Sequence, residues 1–435
     1  MSKQIIKFFP FVVYLLVLNC GSTNGVREGK LPTGISVVMK NVPHTSIVTV
    51  LMMVKAGSIH ETALNNGISR LVESSLFRIS KNYRDIQWTL DSYGCKYRSA
   101  TYNDFVYFSV TVDKLFLTRV LEIFADVVKN AEFPDSLIHR VKDELLGNIN
   151  LEYKNPVLQL RKLFLKKSFQ VHPYRFLPLG TMETIQNLKS KDVREYYENL
   201  YIPQNITIVI VGNFERRQVL RILKKSLGSF SRIPPMTYHW ASEPEQTVPR
   251  EEASFHSFPR NIAFFTVGWR APSIRDPDTY SMDILTAALG IGESSILNTQ
   301  IRDQMDSVYF IWAEYMTPRE PGYFLINIVC RPSAVEEVKK RIFREIDILS
   351  RDSITPKALK RAKMYLEAQE AYSREGTMES AFYLGFWSVM KDIHFVKTYL
   401  PNIRKVSLQM LKKTASKYLK SNNYTSVVLL PSEKR

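Results

Sequence analysis

Residues 47–53 and 262–267 are short, almost unbroken apolar runs rich in β-branched and aromatic side chains, and both predict strands. Each leads into a small-residue turn: Val54-Lys55-Ala56-Gly57-Ser58 after the first, Trp269-Arg270-Ala271-Pro272-Ser273 after the second. The pattern repeats further along. Strand-like runs at 107–112 and 323–328 both open on Tyr-Phe, and each precedes a long helical pattern. Prolines at Pro134 and Pro356 then start amphipathic helices, where the missing N–H costs nothing. Finally, Asn205-Ile206-Thr207-Ile208-Val209 resembles Asn423-Tyr424-Thr425-Ser426-Val427. These correspondences occur in order, offset by about 216 residues, which marks an internal duplication. The chain therefore reads as two homologous α+β domains, each a mostly antiparallel sheet covered by helices, over residues 30–228 and 258–431. Residues 229–257, with Pro234, Pro235, Pro244 and Pro249 among polar neighbours, read as a linker.

One helix carries the candidate chemistry. Asn65-Asn66-Gly67 forms a turn, and Ile68, Leu71, Val72 and Leu76 then recur at helical spacing as a buried stripe. Arg70 and Ser74 stand one turn apart and project from the same side, with Glu73 and Phe77 beside them. The simplest role for Glu73 is an i,i+3 ion pair with Arg70, worth a few tenths of a kcal/mol.

Composition adds two constraints. With 59 Lys and Arg against 42 Asp and Glu, the net charge is +17. No helix-turn-helix, zinc-finger or aromatic RNA-binding pattern accompanies it, so a solvated basic surface is expected and nucleic acid is not. The amino terminus differs from the rest. Lys3 and Lys7 precede an apolar run at 8–18, followed by Asn19, Cys20, Gly21 and Ser22. This is the layout of a secretory signal peptide over residues 1–22, too short to span a bilayer. Cys20 is a candidate lipidation site with a loose lipobox around it, and plain cleavage nearby is the alternative. An exported protein is expected, periplasmic or membrane-anchored by lipid if bacterial. Cys95 and Cys330 are expected to be free thiols, although one long-range disulfide is compatible with the count.

Several segments together resemble the pitrilysin/insulinase metallopeptidase family. Leu31-Pro32-Thr33-Gly34 resembles its opening, and Ala56-Gly57-Ser58, Glu61 and Gly67-Ile68-Ser69 resemble the approach to its zinc helix. His172-Pro173-Tyr174-Arg175 with Leu179-Gly180-Thr181, and Tyr201-Ile202-Pro203-Gln204-Asn205, are similar to further family segments. The resemblance runs from about residue 30 to 431. It also defines a departure. Where the family has His-x-x-Glu-His, this chain has Arg70-Leu71-Val72-Glu73-Ser74, and the family's third ligand, a Glu on a later helix, falls on Asn148. Glu144 and Glu152 lie one turn to either side, so a register shift would return one carboxylate but not a site. A catalytic zinc needs three protein ligands, and a permanent cation at position 70 repels a second one. No metal or cofactor is expected in this chain.

The second half keeps what the first has lost. Gly292-Glu293-Ser294-Ser295, Ile301-Arg302-Asp303 and Tyr309 resemble the family segment whose Arg and Tyr reach the substrate. The resemblance implies substrate binding by Arg302 and Tyr309, because a guanidinium fork and a phenol can both donate to a carbonyl. A structural Arg–carboxylate pair is the simpler alternative. The expected function is a non-catalytic, substrate-binding or regulatory subunit of a heterodimeric zinc peptidase, like the zinc-less subunit of mitochondrial processing peptidase. Its partner would be a homologous zinc-bearing subunit with an acidic docking face, and its substrate a peptide. The alternatives are a scaffold without a peptidase partner, like the core subunits of cytochrome bc1, and a homodimeric peptide-binding chamber.

Overall fold

A computed structural model describes residues 25–432 apart from 229, 231–237, 239, 257, 258 and 260. The expected signal segment and Cys20 lie outside the described residues. The first sheet is built from β1 (Val26–Lys30), β2 (Ser36–Asn41), β3 (Ile47–Val54), β4 (Lys96–Thr101), β5 (Val106–Asp113) and β6 (Ile206–Gly212), in the order β1-β2-β6-β3-β5-β4. The second is built from β7 (Arg250–His256), β8 (Ala263–Ala271), β9 (Val308–Met316), β10 (Gly322–Cys330) and β11 (Thr425–Pro431), in the order β7-β11-β8-β10-β9. In both sheets the late-arriving strand pairs parallel on one side, β2 with β6 and β7 with β11, and antiparallel on the other. Each half is thus a mostly antiparallel α+β unit, and the repeated runs at 107–112 and 323–328 are the equivalent strands β5 and β10.

The boundary drawn from composition changes at one end. The stretch at 229–257 contains β7, which takes the same place in the second sheet that β2 takes in the first. Its prolines and charged residues hide a strand that is apolar on neither face. Glu243, in the same stretch, is held in place too. Glu243 accepts from the backbone N–H groups of Gln170, Val171 and His172 at 2.6, 2.9 and 2.8 Å, and pairs with Arg270 at 3.1 Å.

Period-2 alternation makes both faces of each sheet apolar. In β3, Val48, Val50, Met52 and Val54 point into the core shared with the helices of their own half. Leu51 and Met53 point the opposite way, and the helix Thr377–Met390 of the second half covers them with Ala381 and Leu384. The second sheet is treated alike. Phe324, Ile326 and Ile328 face its own helices, while Leu325, Val427 and Leu429 are covered by Leu160, Phe164 and Leu165 of the helix Pro156–Ser168 of the first half. The halves are interlocked by exchanged helices. A glycine sits at each crossing: a methyl on Gly385 would stand 2.9 Å from Leu51, and one on Gly268 would stand 2.6 Å from the Phe164 ring. Cys95 and Cys330 are buried free thiols in different cores.

Because Phe164 belongs to one half and fills the core of the other, Phe164→Ala is expected to cost about 3–5 kcal/mol. Urea unfolding followed by tryptophan fluorescence and by far-ultraviolet dichroism should still give one coincident transition. Two separated transitions would show that the halves fold independently.

Candidate functional site

The motif helix, Ile68–Leu76, buries Ile68, Leu71, Val72 and Leu76 as its spacing predicts. Its start is fixed by a buried carboxylate. Glu61 accepts from Asn66 Nδ2 at 2.7 Å, Gly67 N at 2.8 Å, Ser69 N at 3.0 Å and the Ser69 hydroxyl. Negative charge here meets the unpaired N–H groups of the first turn. Burial raises the Glu61 pKa, and these donors work in the opposite direction. Gly67 has φ 97° and lies against Gly180, where a methyl on either residue would come within 3.0 Å of the other's backbone. Thr184 Oγ1 donates to Asn66 O at 2.7 Å, and Tyr153 OH donates to Gly180 O at 2.6 Å. Tyr174 OH donates to Asp104 at 2.7 Å, tying the His172–Arg175 segment to the loop before β5. Glu61, Gly67-Ile68-Ser69 and Leu179-Gly180-Thr181, three of the family-like segments, therefore meet at the start of this helix.

What the helix presents is a charge ladder. It faces the helix Asp135–Glu152, and the two run antiparallel. Arg70 donates through both terminal nitrogens to Glu152, at 3.1 Å each. Two turns further on, Arg78 Nη2 donates to Glu144 at 2.8 Å. Ser74 is halfway between the arginines, and Asn148 is halfway between the glutamates. Positions 74 and 148 thus fall between two ion pairs along the facing elements. The expected pairing of Arg70 with Glu73 is replaced by this longer-range one. Sequence proximity favours Glu73, but the bidentate fork of Arg70 finds a better-matched carboxylate across the groove.

Glu73 turns toward the edge of the first sheet. It accepts from the Ser99 hydroxyl and from Thr101 Oγ1 at 3.4 Å, both on β4. Burial pushes its pKa above the usual carboxylate value, against the pull of Ser99 and Arg70. Zinc does not fit this arrangement. The face offers a guanidinium already committed to a carboxylate, a hydroxyl, an amide and one recessed acid, and a catalytic zinc needs three N, S or O ligands converging on one point. Among the described residues no three His, Cys, Asp or Glu side chains are grouped to hold a metal ion.

The second candidate element is separate in the chain. Arg302 lies in the short turn Arg302–Gln304, and Tyr309 is half-buried on the edge strand β9. Arg302 pairs with Glu293 at 2.5 Å and with Asp303 at 2.8 Å, so its fork is held by two carboxylates. Glu293 is 85% exposed and can be displaced into water.

Glu73 generates a pH prediction. Its raised pKa means that the folded state holds the proton more tightly than the unfolded one. The stability this gives is present at low pH and is lost as pH rises past the ordinary carboxylate value of 4.5 through the higher folded one. Glu73→Gln is therefore expected to raise the melting temperature at about pH 8 and to lose that advantage toward about pH 4. A variant less stable than the parent across this range would show that the charged form is the favoured one.

Comparison with known proteins agrees with the two-domain α+β fold. The profile described as "Insulinase (Peptidase family M16)" matches residues 36–176, and "Peptidase M16 inactive domain" matches residues 187–366. Zinc protease PqqE of Helicobacter pylori is 24% identical over 421 residues, spanning 93% of this chain and 94% of that protein. The probable mitochondrial-processing peptidase subunit beta of Arabidopsis thaliana is 20% identical over 415 residues, 90% of this chain and 76% of its own length. Among solved structures, a protease from Helicobacter pylori superposes with a TM-score of 0.87 at 21% identity, covering 93% of this chain and 99% of that one. A peptidase M16 inactive domain from Pseudomonas fluorescens gives 0.83 at 18% identity, covering 94% and 99%. Across two profiles that together span most of its length, and in the fold that they share, this chain belongs to the insulinase family, peptidase family M16.

Proposed function

We propose that this chain is the zinc-less, non-catalytic subunit of a two-chain peptidase of the insulinase family. The observation that carries the reading is the pair of ion pairs Arg70–Glu152 and Arg78–Glu144, with Ser74 and Asn148 between them in the sequence of each element. A permanent cation, Arg70, stands at one position where the family has a metal ligand, and Ser74 and Asn148 stand at the other two, so hydrolysis is assigned to a homologous zinc-bearing partner. This chain contributes binding. Arg302 and Tyr309 are the residues proposed to grip the substrate peptide's carbonyl, with Arg302 released from exposed Glu293 on docking. Donors of this kind act most strongly where water is excluded, and a subunit interface provides that exclusion. The basic surface, +17 overall, suits an acidic docking face on the partner. Residues 1–22 are proposed to direct export, with Cys20 as the lipid tether.

A second reading is favoured by one observation. Both carboxylates on Arg302 are in the same local segment, and such self-contained pairing suits a scaffold that binds no substrate.

Reconstitution separates the two. The purified chain alone is expected to hold far less than one zinc per molecule by elemental analysis and to cut no peptide. Added to its zinc-bearing partner it should support cleavage, and Arg302→Ala should lower kcat/KM by roughly tenfold to a hundredfold, the range for losing one donor to a developing oxyanion. Unchanged cleavage by Arg302→Ala would leave the scaffold reading.

A further inference from the structure

The exchange of helices between halves leaves a cleft of about 380 Å³ at the rim of the first sheet. On one side it is bounded by β1 and β2. On the other it is bounded by Arg374, in the turn between the helices Pro356–Tyr372 and Thr377–Met390, by the latter helix and by the helix Phe395–Lys405. Its lining includes Lys40, Arg374, Lys397 and Arg404, and no carboxylate among the described residues. Ser380 and Tyr383 add hydroxyls, and the remaining lining is apolar.

The cations are compensated from behind, and only in part. Arg374 pairs with Glu370, which is itself only 5% exposed and also accepts from Tyr383 OH. Arg404 pairs with Glu367 at 2.7 Å. Lys40 donates to Ser380 Oγ at 2.9 Å and has no ion pair with an acid among the described residues. Lys397 is exposed and has no ion pair among the described residues. Four cations against two carboxylates leave two positive charges uncompensated around one concave space. Arg374 Nε is shut off from water, so the guanidinium offers the cleft its charge and its terminal nitrogens, not this N–H. A half-buried lysine without a counter-ion is costly. Burial and the neighbouring Arg374 both depress the Lys40 pKa, as expected for a cation that lacks an anion.

We propose that this cleft binds a phosphate-type dianion, either free phosphate or the head of a phosphate monoester. Two unmet charges match a dianion, and the lysines, arginines and hydroxyls supply the donors that phosphate oxygens accept. The volume holds such a group with room for a small substituent over the apolar part of the lining. The anion would bridge Lys40 of the first half to Arg374 and Lys397 of the second, so occupancy would tighten the interlock. This site is separate from the peptidase-like groove and does not depend on how that groove is read.

The test uses the full chain and inorganic phosphate. Calorimetry at constant ionic strength, with chloride as the compensating anion, should show saturable one-site binding and a melting temperature that rises with phosphate. Lys40→Gln should weaken binding roughly tenfold or more, as should Lys397→Gln, which sits on the surface and leaves packing alone. Flotation with vesicles containing phosphatidic acid identifies the source. Retention that is abolished in Lys397→Gln marks a lipid headgroup, and phosphate binding without retention marks a soluble ligand. The proposal is overturned if neither probe binds, if chloride stabilises equally, or if both variants bind like the parent.

Discussion

Two-sided burial of the sheets is the constraint on which the rest of this structure depends. A strand such as β3 puts Val48, Val50 and Met52 on one side and Leu51 and Met53 on the other, so neither face tolerates water. Each half has helices enough for only one face. The solution is exchange, with Thr377–Met390 lying on the first sheet and Pro156–Ser168 on the second. Apolar burial, at about 25 cal/mol per Å², is the main force holding the halves together. It also explains the glycines at the crossings, because Gly385 and Gly268 let a helix and a ring approach the strands closely. The cationic cleft beside Lys40 exists only because helices from one half meet strands of the other.

The peptidase-like groove is a different case, in which position and chemistry have separated. The motif helix is located by apolar packing and by the Glu61 cap, whose four donors are all buried. The two arginine–glutamate pairs add little to this. Glu152 and Glu144 are 39% and 44% exposed, and pairs so open to water contribute about 1 kcal/mol or less. Their effect lies in the field they create. The cradle of Gly67, Gly180, Thr184 and Tyr153 would hold a metal-binding helix equally well, which is why those segments resemble the family although the ligand positions do not.

Much of this is readable in the chain. Alternation and the repeat at about 216 residues locate the strands and the duplication. Helical spacing puts positions 70 and 74 on one face, and the motif register sets Asn148 against it. The failures share a physical cause, which is distance. Arg70 has Glu73 three residues away and Glu152 82 residues away, and local reasoning favours the nearer acid. A signal is present, because Glu144, Asn148 and Glu152 recur every four residues and so line one face of a helix. The helix exchange is not legible, because the pattern of residues 377–390 says that the helix is buried without saying in which half. β7 is hidden by its composition: Arg-Glu-Glu-Ala-Ser-Phe-His alternates weakly and follows several prolines.

The arginine ladder also bears on how firmly this groove is closed to metal. Removing two imidazoles by substitution with small neutral residues would leave Glu73, Glu144 and Glu152 around the groove, a negative field that still attracts divalent ions. Arg70 and Arg78 cancel most of that field. Each takes one carboxylate out of play, and a guanidinium keeps its charge at every pH a protein survives. Titration therefore cannot reopen the groove, as it could if the blocking group were a lysine or a histidine. Nor can one substitution, since a histidine at position 74 would still leave Asn148 and a cation at position 70. A metal would require new ligands and the loss of Arg70 together. Loss of Arg70 alone leaves Glu152 without its partner and without a metal. The intermediate steps each worsen the electrostatics they pass through, and that barrier keeps the groove closed to metal.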